Sequence, residues 1–311
     1  MESSRARRRR VPLLYAALAS VAVVDGTAAG TVYVKAQAHS PRGAQSAVSS
    51  SATPSVVAAS GEASVEPVAQ PTVDLDGLLA EAMESVTVAE GVEVSVAVLE
   101  VDSGESAAYG DASFDTASIV KVDILATLLL QAQDEGRALD SAEKAYATAM
   151  IENSDNVSTS ASWETIGRAK GLDAANERLG LTATEGGDGM LWGLTQTTAA
   201  DQLTLLQQVF GEDSELSEAS RTYLQGLMGQ IAVDQRWGVS AVADGSGWAL
   251  KNGWLPRSTT GLWDINSIGR VTVDGRDYLV AALSKGNTTK AEGVTLVEAA
   301  AEAAVSVFAT A

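Results

Sequence analysis

Ser118 and Lys121 stand three residues apart at the head of a long apolar run, Ile119 to Leu130, broken only by Lys121, Asp123 and Thr127. A run apolar on nearly every face predicts a helix enclosed by protein. Asp115 and Thr116 just before it read as a helix-entry signal, since their oxygens can accept the orphan N–H groups of a first turn. On that helix the two side chains share a face, with the amine in reach of the hydroxyl. Burial penalises an ammonium and drives its pKa down, so Lys121 reads as a base beside a nucleophilic Ser118. The spacing alone is weak. Ser141 and Lys144 repeat it in a polar stretch, where two solvated side chains are the plain reading.

Two later stretches carry further candidates. Ser154-Asp155-Asn156 lies at a junction between two helix-like runs, where Asp and Asn also serve as ordinary caps. Lys251-Asn252-Gly253-Trp254 ends a strand-like approach, and a glycine there lets a ligand come close to the backbone.

Composition narrows what chemistry is open. The chain of 311 residues has no cysteine and one histidine. That histidine, His39, lies in a low-complexity stretch. A disulfide framework, a thiolate metal site, a histidine-based triad and a His-ligated zinc are therefore excluded, and no metal or other cofactor is expected. Serine chemistry here must use Lys, Glu, Asp or Tyr as its base. Net charge is −19. Residues 1–35 hold five Arg and Lys35 against Glu2 and Asp25, a balance of +4, which leaves −23 for the rest. A polyanion of this kind repels phosphate backbones, so nucleic acid is not an expected partner.

Along the chain, residues 1–38 combine arginines (Arg5, Arg7 to Arg10) with an apolar segment, which describes an export signal or a membrane anchor. Asp25 within that segment would cost ~2.5–3.5 kcal/mol in a bilayer centre. Either reading puts the remainder outside the cytoplasm, secreted or tethered through this segment alone. Residues 39–72, built from Ala, Ser, Val and Pro, cannot bury enough surface to offset ordering and read as a linker. Residues 73–311 form the folded domain, expected to be a monomer. In it, a helix over 75–85 precedes an alternating strand over 92–99 and a return strand over 106–109. Helical segments run from 114 to about 233, and strands resume, with Asp274-Gly275 as a hairpin turn. A helix over 290–308 closes the chain. This order predicts an α/β fold: an antiparallel sheet flanked by the N- and C-terminal helices, with an all-helical lobe inserted between its halves.

Taken together and in order, Ser118-x-x-Lys121, Ser154-Asp155-Asn156 and Lys251-Asn252-Gly253 resemble the pattern of the penicillin-recognising serine enzymes, class A β-lactamases and D-alanyl-D-alanine peptidases. The resemblance spans roughly residues 75–311 and implies their two-lobed fold. It implies Ser118 as the acylated nucleophile, Lys121 as its proton acceptor and Ser154 as relay to the leaving nitrogen. Asn156 would hold the substrate's amide side chain and Lys251 its carboxylate, with the N–H groups of Ser118 and Trp254 as oxyanion hole. A ring at Trp254 would line the cleft edge.

Three departures qualify it. Asn252 replaces the Thr or Ser of the family pattern, and an amide would have to donate in place of a hydroxyl. The interval from Lys121 to Ser154 is shorter than in class A enzymes. The loop glutamate followed four residues later by asparagine, which activates water in those enzymes, is absent, because no asparagine lies between Asn176 and Asn252. Glu185 and Asp188 are the stand-ins, and Glu185 is the candidate for deacylation. The expected function is an exported serine hydrolase acting on a β-lactam or a related cyclic or cell-wall peptide amide. A D-alanyl-D-alanine peptidase or penicillin-binding protein, and a silent cell-wall binding module on the same fold, stand as alternatives.

Overall fold

The computed structural model describes residues 73–309. The segments expected as export signal and linker lie outside these residues. A helix α1 (Leu75–Met83), capped by Asp74 on the N–H of Gly77, is followed by the hairpin β1 (Glu93–Glu100) and β2 (Ser106–Tyr109). Short β3 (Phe114–Asp115) leads through a 3₁₀ turn, Ala117–Ile119, into α2 (Val120–Asp134). Helices α3 (Ser141–Glu152), α4 (Asn156–Thr165) and α5 (Arg168–Leu179) follow, then β4 (Gln196–Thr197), α6 (Ala199–Phe210) and α7 (Glu218–Met228). The chain closes with β5 (Trp248–Pro256), β6 (Trp263–Val273), β7 (Arg276–Asn287) and α8 (Lys290–Ser306).

One five-stranded antiparallel sheet orders these strands β2-β1-β7-β6-β5. Its pattern of apolar residues explains the layers. In β7 nearly every side chain from Tyr278 to Leu283 is apolar, as the central strand of a three-layer sandwich requires. Leu279, Ala281 and Leu283 pack into the core of the helical lobe, together with Ala97, Ala249 and Ile268. Val280 and Ala282 face the other way, joining Val96, Val98, Leu250 and Ile265 against α1 and α8. Alternation along each strand thus divides the sheet between two cores. The inserted helical lobe and the flanking terminal helices follow the predicted arrangement. Asp274 and Gly275 both have positive φ (51° and 77°), as the two-residue β6–β7 turn demands.

The entry to α2 differs from expectation. Asp115 is a strand residue, not a helix cap: its carboxylate accepts from the Gln196 amide and pairs with Arg257. Thr116 makes no capping hydrogen bond. The pull of β3–β4 pairing, Phe114 to Thr197 and Asp115 to Gln196, outweighs the local capping preference. From Val120 to Leu130 every residue of α2 is buried, including Lys121, Asp123 and Thr127.

Candidate active site

Ser118 sits in the 3₁₀ turn between β3 and α2, partly open to solvent. Ala117 before it has φ +48°, a left-handed conformation that an L-residue holds only under restraint from its surroundings. That restraint is visible. The Thr116 N–H donates to Thr195 O at 2.9 Å, and the Asn266 amide donates to Asp115 O and Thr116 O at 2.9 and 3.1 Å. Ser154, across the cleft, has φ +56°, so both serines are presented from strained backbone.

Lys121 lies one turn on and is fully buried. Its Nζ donates to Ser154 O at 2.7 Å, Ser154 Oγ at 2.9 Å and Asn156 Oδ1 at 2.8 Å. Burial lowers its pKa to about 7, against a smaller upward pull from Asp155. Asp155 itself is committed to capping α4, accepting the Ser158 N–H at 2.7 Å. Among the described residues no hydrogen bond joins Lys121 to the Ser118 hydroxyl. The two share a face across the junction of 3₁₀ turn and helix, but the amine's donors are turned toward the 154–156 segment.

Parity along β5 decides which of its residues reach this place. Ala249 packs in the core of the helical lobe and Leu250 in the opposite core, so Lys251 and Gly253 face the lobe while Asn252 and Trp254 face α8. Lys251 is buried, and its Nζ is 3.2 Å from Asn252 O and 3.4 Å from Gln235 Oε1. Burial first, and the Lys121 charge second, hold its pKa well below that of an ordinary lysine. Gly253 presses on the nucleophile's own turn: a Cβ there would lie 2.7 Å from Thr116 O, 2.9 Å from Ser118 N and 3.0 Å from Ile119 N. β5 is an edge strand, so alternate N–H and C=O groups along its outer side have no partner in the sheet.

The remaining candidates stand elsewhere. Asn252 is buried and gives both amide hydrogens to backbone carbonyls, Gln235 O at 2.7 Å and Trp237 O at 2.9 Å, so neither is left for a ligand's carboxylate. The Trp254 ring packs against Trp237, centroids 6.0 Å apart, with Lys290 Nζ 4.0 Å from its centre. Glu185 is exposed and pairs through its backbone with Gln196, and among the described residues it bonds to no other candidate. Among the described residues no group of three or more His, Asp or Glu is placed so as to hold a metal ion.

Sequence reasoning missed Trp192, whose ring lies 5.1 Å from the Lys121 amine. Its indole N–H donates to Ser160 Oγ at 3.2 Å. It also missed Asn266 and Gln235, which hold Thr116 and the β5 segment in place. Neither carries a sequence signal, because their roles depend on which carbonyl lies opposite them. Chemically, the assembly offers an accessible alcohol, a buried amine of pKa about 7 and a second hydroxyl on that amine. This set is suited to acyl transfer through a serine ester.

The sequence model of the beta-lactamase enzyme family matches residues 141–308, a span that holds Ser154, Asn156 and Lys251 but begins after Ser118 and Lys121. Among solved structures, TLA-1 extended spectrum beta-lactamase is similar at 15% identity and TM-score 0.65, over 75% of this chain and 98% of that one. PBP-A is similar at 23% identity and TM-score 0.65, over 76% and 97%. A class A beta-lactamase from Bacteroides cellulosilyticus is similar at 16% identity and TM-score 0.63, over 76% and 98%. These likenesses show the two-lobed fold. No curated protein sequence matches the chain.

Proposed function

Because this chain belongs to the beta-lactamase enzyme family, we propose that it is a serine hydrolase that opens a β-lactam, or a related cell-wall amide, through an ester on Ser118. The observation that carries this reading is Lys121: a fully buried amine of pKa about 7, bonded to Ser154 and Asn156 and one turn from a partly open hydroxyl. In the neutral amine, two N–H groups serve Ser154 O and Asn156 Oδ1, and the lone pair can take a proton.

Ser118 Oγ adds to the amide carbon while its proton passes to Lys121 Nζ. The developing oxyanion takes the N–H groups of Ser118 and Trp254. Collapse breaks the C–N bond, and the proton returns through the Ser154 hydroxyl to the departing nitrogen. Asn156 has its Oδ1 engaged by Lys121, which leaves its NH₂ to donate to a substrate carbonyl. The basic and apolar residues 1–38, outside the described residues, support an extracytoplasmic setting.

One observation favours the penicillin-binding or peptidase alternative over a fast lactamase: among the described residues no carboxylate forms an ion pair or hydrogen bond with Lys121 or the Ser118 hydroxyl. PBP-A, similar in fold at 22% identity in one variant, was solved as an acyl-enzyme complex with penicillin G. The test is incubation of the domain with a fluorescent penicillin and a chromogenic cephalosporin, beside Ser118→Ala. An adduct or turnover that Ser118→Ala abolishes is expected. Equal signal from both proteins, or none from either, refutes the catalytic reading and leaves the binding module.

A further inference from the structure

The sheet holds β5 on one side only, through β6. Along the outer half of the strand that support is itself irregular. Trp254 pairs with Ile265 and Pro256 with Trp263, and the register between β6 and β7 slips between Trp263 and Ile265. Yet the Gly253–Trp254 peptide lies against the nucleophile's turn, so close that a Cβ on Gly253 would sit 2.9 Å from Ser118 N. Side chains have to fix what the ladder leaves loose.

They do so from the face of the sheet that carries α8. Asn252, two residues before Trp254 on that face, gives its amide hydrogens to Gln235 O and Trp237 O, which fastens the 235–237 segment to β5. The Trp237 ring then leans on the Trp254 ring, with 6.0 Å between centroids and 58° between planes. The Trp237 indole N–H is buried without a partner, so contacts of its ring, not a hydrogen bond, hold this side chain. Over both rings stands the Lys290 ammonium, 4.0 Å from the centre of Trp254 and 5.6 Å from that of Trp237. Two turns along the same helix, Glu298 Oε1 accepts from Gly238 N at 3.2 Å, so α8 grips the segment at two points. The start of α8 is a firm base for this grip, because a Cβ on Gly293 would lie 2.3 Å from Ile265 Cγ1.

Lys290 occupies an unfavourable place for a cation. It is the first residue of α8, where unpaired N–H groups and the helix dipole favour an anion. Thr289 and Glu292 already complete the cap, each side chain accepting the other's N–H at 3.1 Å. Burial lowers the amine's pKa as well, against an upward pull from Asp234. What favours the ammonium here is the pair of ring faces, by roughly 2- to 30-fold. We propose that Lys290 is a positioning residue, whose ammonium locks the Trp254 ring against α8 and so fixes the Trp254 N–H as a donor to the oxyanion formed at Ser118. The proposal rests on the serine acyl-transfer reading and adds to it a residue of the C-terminal helix. Because the oxyanion exists only once Ser118 Oγ has added, the effect falls on the acylation rate constant and not on substrate affinity.

The experiment compares wild type, Lys290→Met, Lys290→Gln and Lys290→Arg, with the exposed Lys144→Met as a control for net charge. Stopped-flow acylation by a fluorescent penicillin gives the limiting rate constant and the half-saturating concentration. Infrared difference spectra with ¹³C=O-labelled penicillin G locate the ester carbonyl band, which moves to lower wavenumber when donors polarise it. Circular dichroism of the Trp237–Trp254 pair and the ¹⁵N–H resonance of Trp254 report the clamp directly. Both neutral variants are expected to lower the limiting rate constant about tenfold, with half-saturation near wild type and the carbonyl band moved up. Lys290→Arg should restore rate and band, and Lys144→Met should change neither. A folded Lys290→Met or Lys290→Gln with wild-type rate and band overturns the proposal. So does a loss confined to half-saturation, or a Lys290→Arg as impaired as the neutral variants. If the wild type forms no adduct, the acyl-transfer reading fails by itself, and an unchanged indole couplet and Trp254 resonance in the neutral variants would still overturn the clamp.

Discussion

Asp123, two residues beyond Lys121, is fully buried on the opposite side of α2, and changing it to asparagine should alter how stability depends on pH. Its Oδ2 accepts from Asn176 Nδ2 at 3.1 Å, while its Oδ1 and the Asn176 Oδ1 are both buried without a partner. A carboxylic acid resolves the two orphans at once, because its O–H can donate to Asn176 Oδ1 while Oδ2 goes on accepting. Burial, with Asp173 of α5 and Asp201 of α6 adding negative charge nearby, raises its pKa to about 7. The sign follows from which state holds the proton. Between 3.8 and about 7 the folded protein keeps a proton that the unfolded chain sheds, so this group's contribution is full below 3.8 and is lost as pH rises to about 7. The gap corresponds to roughly 4 kcal/mol, a large share of the ~5–15 kcal/mol typical of a domain. Asparagine has the same shape, can form both hydrogen bonds with Asn176, and does not titrate. Urea unfolding of wild type and Asp123→Asn at several pH values from 4 to 8 should give curves that diverge with rising pH, the variant gaining up to about 4 kcal/mol relative to wild type by pH 8. Parallel curves would show that Asp123 is not held protonated and refute the reasoning.

Other consequences are equally direct. Because acylation needs the neutral Lys121 amine, its rate should rise about tenfold per pH unit below 7 and level off above, as followed by adduct formation in the stopped flow, and Lys121→Met should lose about 10²-fold or more. The same lowered pKa makes the folded state bind fewer protons than the unfolded chain between about 7 and 10.5, so this lysine's burial costs most below 7 and its penalty fades as pH rises to 10.5. Calorimetry across that window would detect it. Gly253→Ala should push β5 off the Ser118 turn, costing about 1–3 kcal/mol of stability and most of the acylation rate, since the three crowded atoms are backbone and cannot swing aside. Asn266→Ala strips the donor from Asp115 O and Thr116 O, and should cost roughly 1–3 kcal/mol in urea unfolding, with a slower adduct as Ala117 relaxes from its positive φ.

What the sequence made legible, and what it did not, follows from the range of the forces involved. The apolar run of α2 shows directly that Lys121 is enclosed, because an enclosed helix needs apolar residues on all faces. The doubly apolar β7 likewise announces a sheet covered on both sides. The period of two along β5 separates its candidates between two faces. Lys251 and Asn252 are adjacent in a strand, so one facing the helical lobe obliges the other to face α8. Asn252 accordingly holds the Gln235–Trp237 segment by two hydrogen bonds. The start of α2 misled, because a local capping preference worth ~1 kcal/mol competes with a β3–β4 pairing eighty residues apart that local pattern cannot register.

Trp192 was out of reach for the same reason, carried further. Its place over Lys121 depends on the closure of a loop by Glu185 and Gln196, on a tryptophan of α4 that grips Gly189, and on a serine of α4 that grips the indole. None of these is a spacing, and each is a contact between elements that the loop itself brings together. The pair Ser118 and Lys121 can be written as a short spacing on one helix entry, whereas the ring beside that amine is placed only by folding.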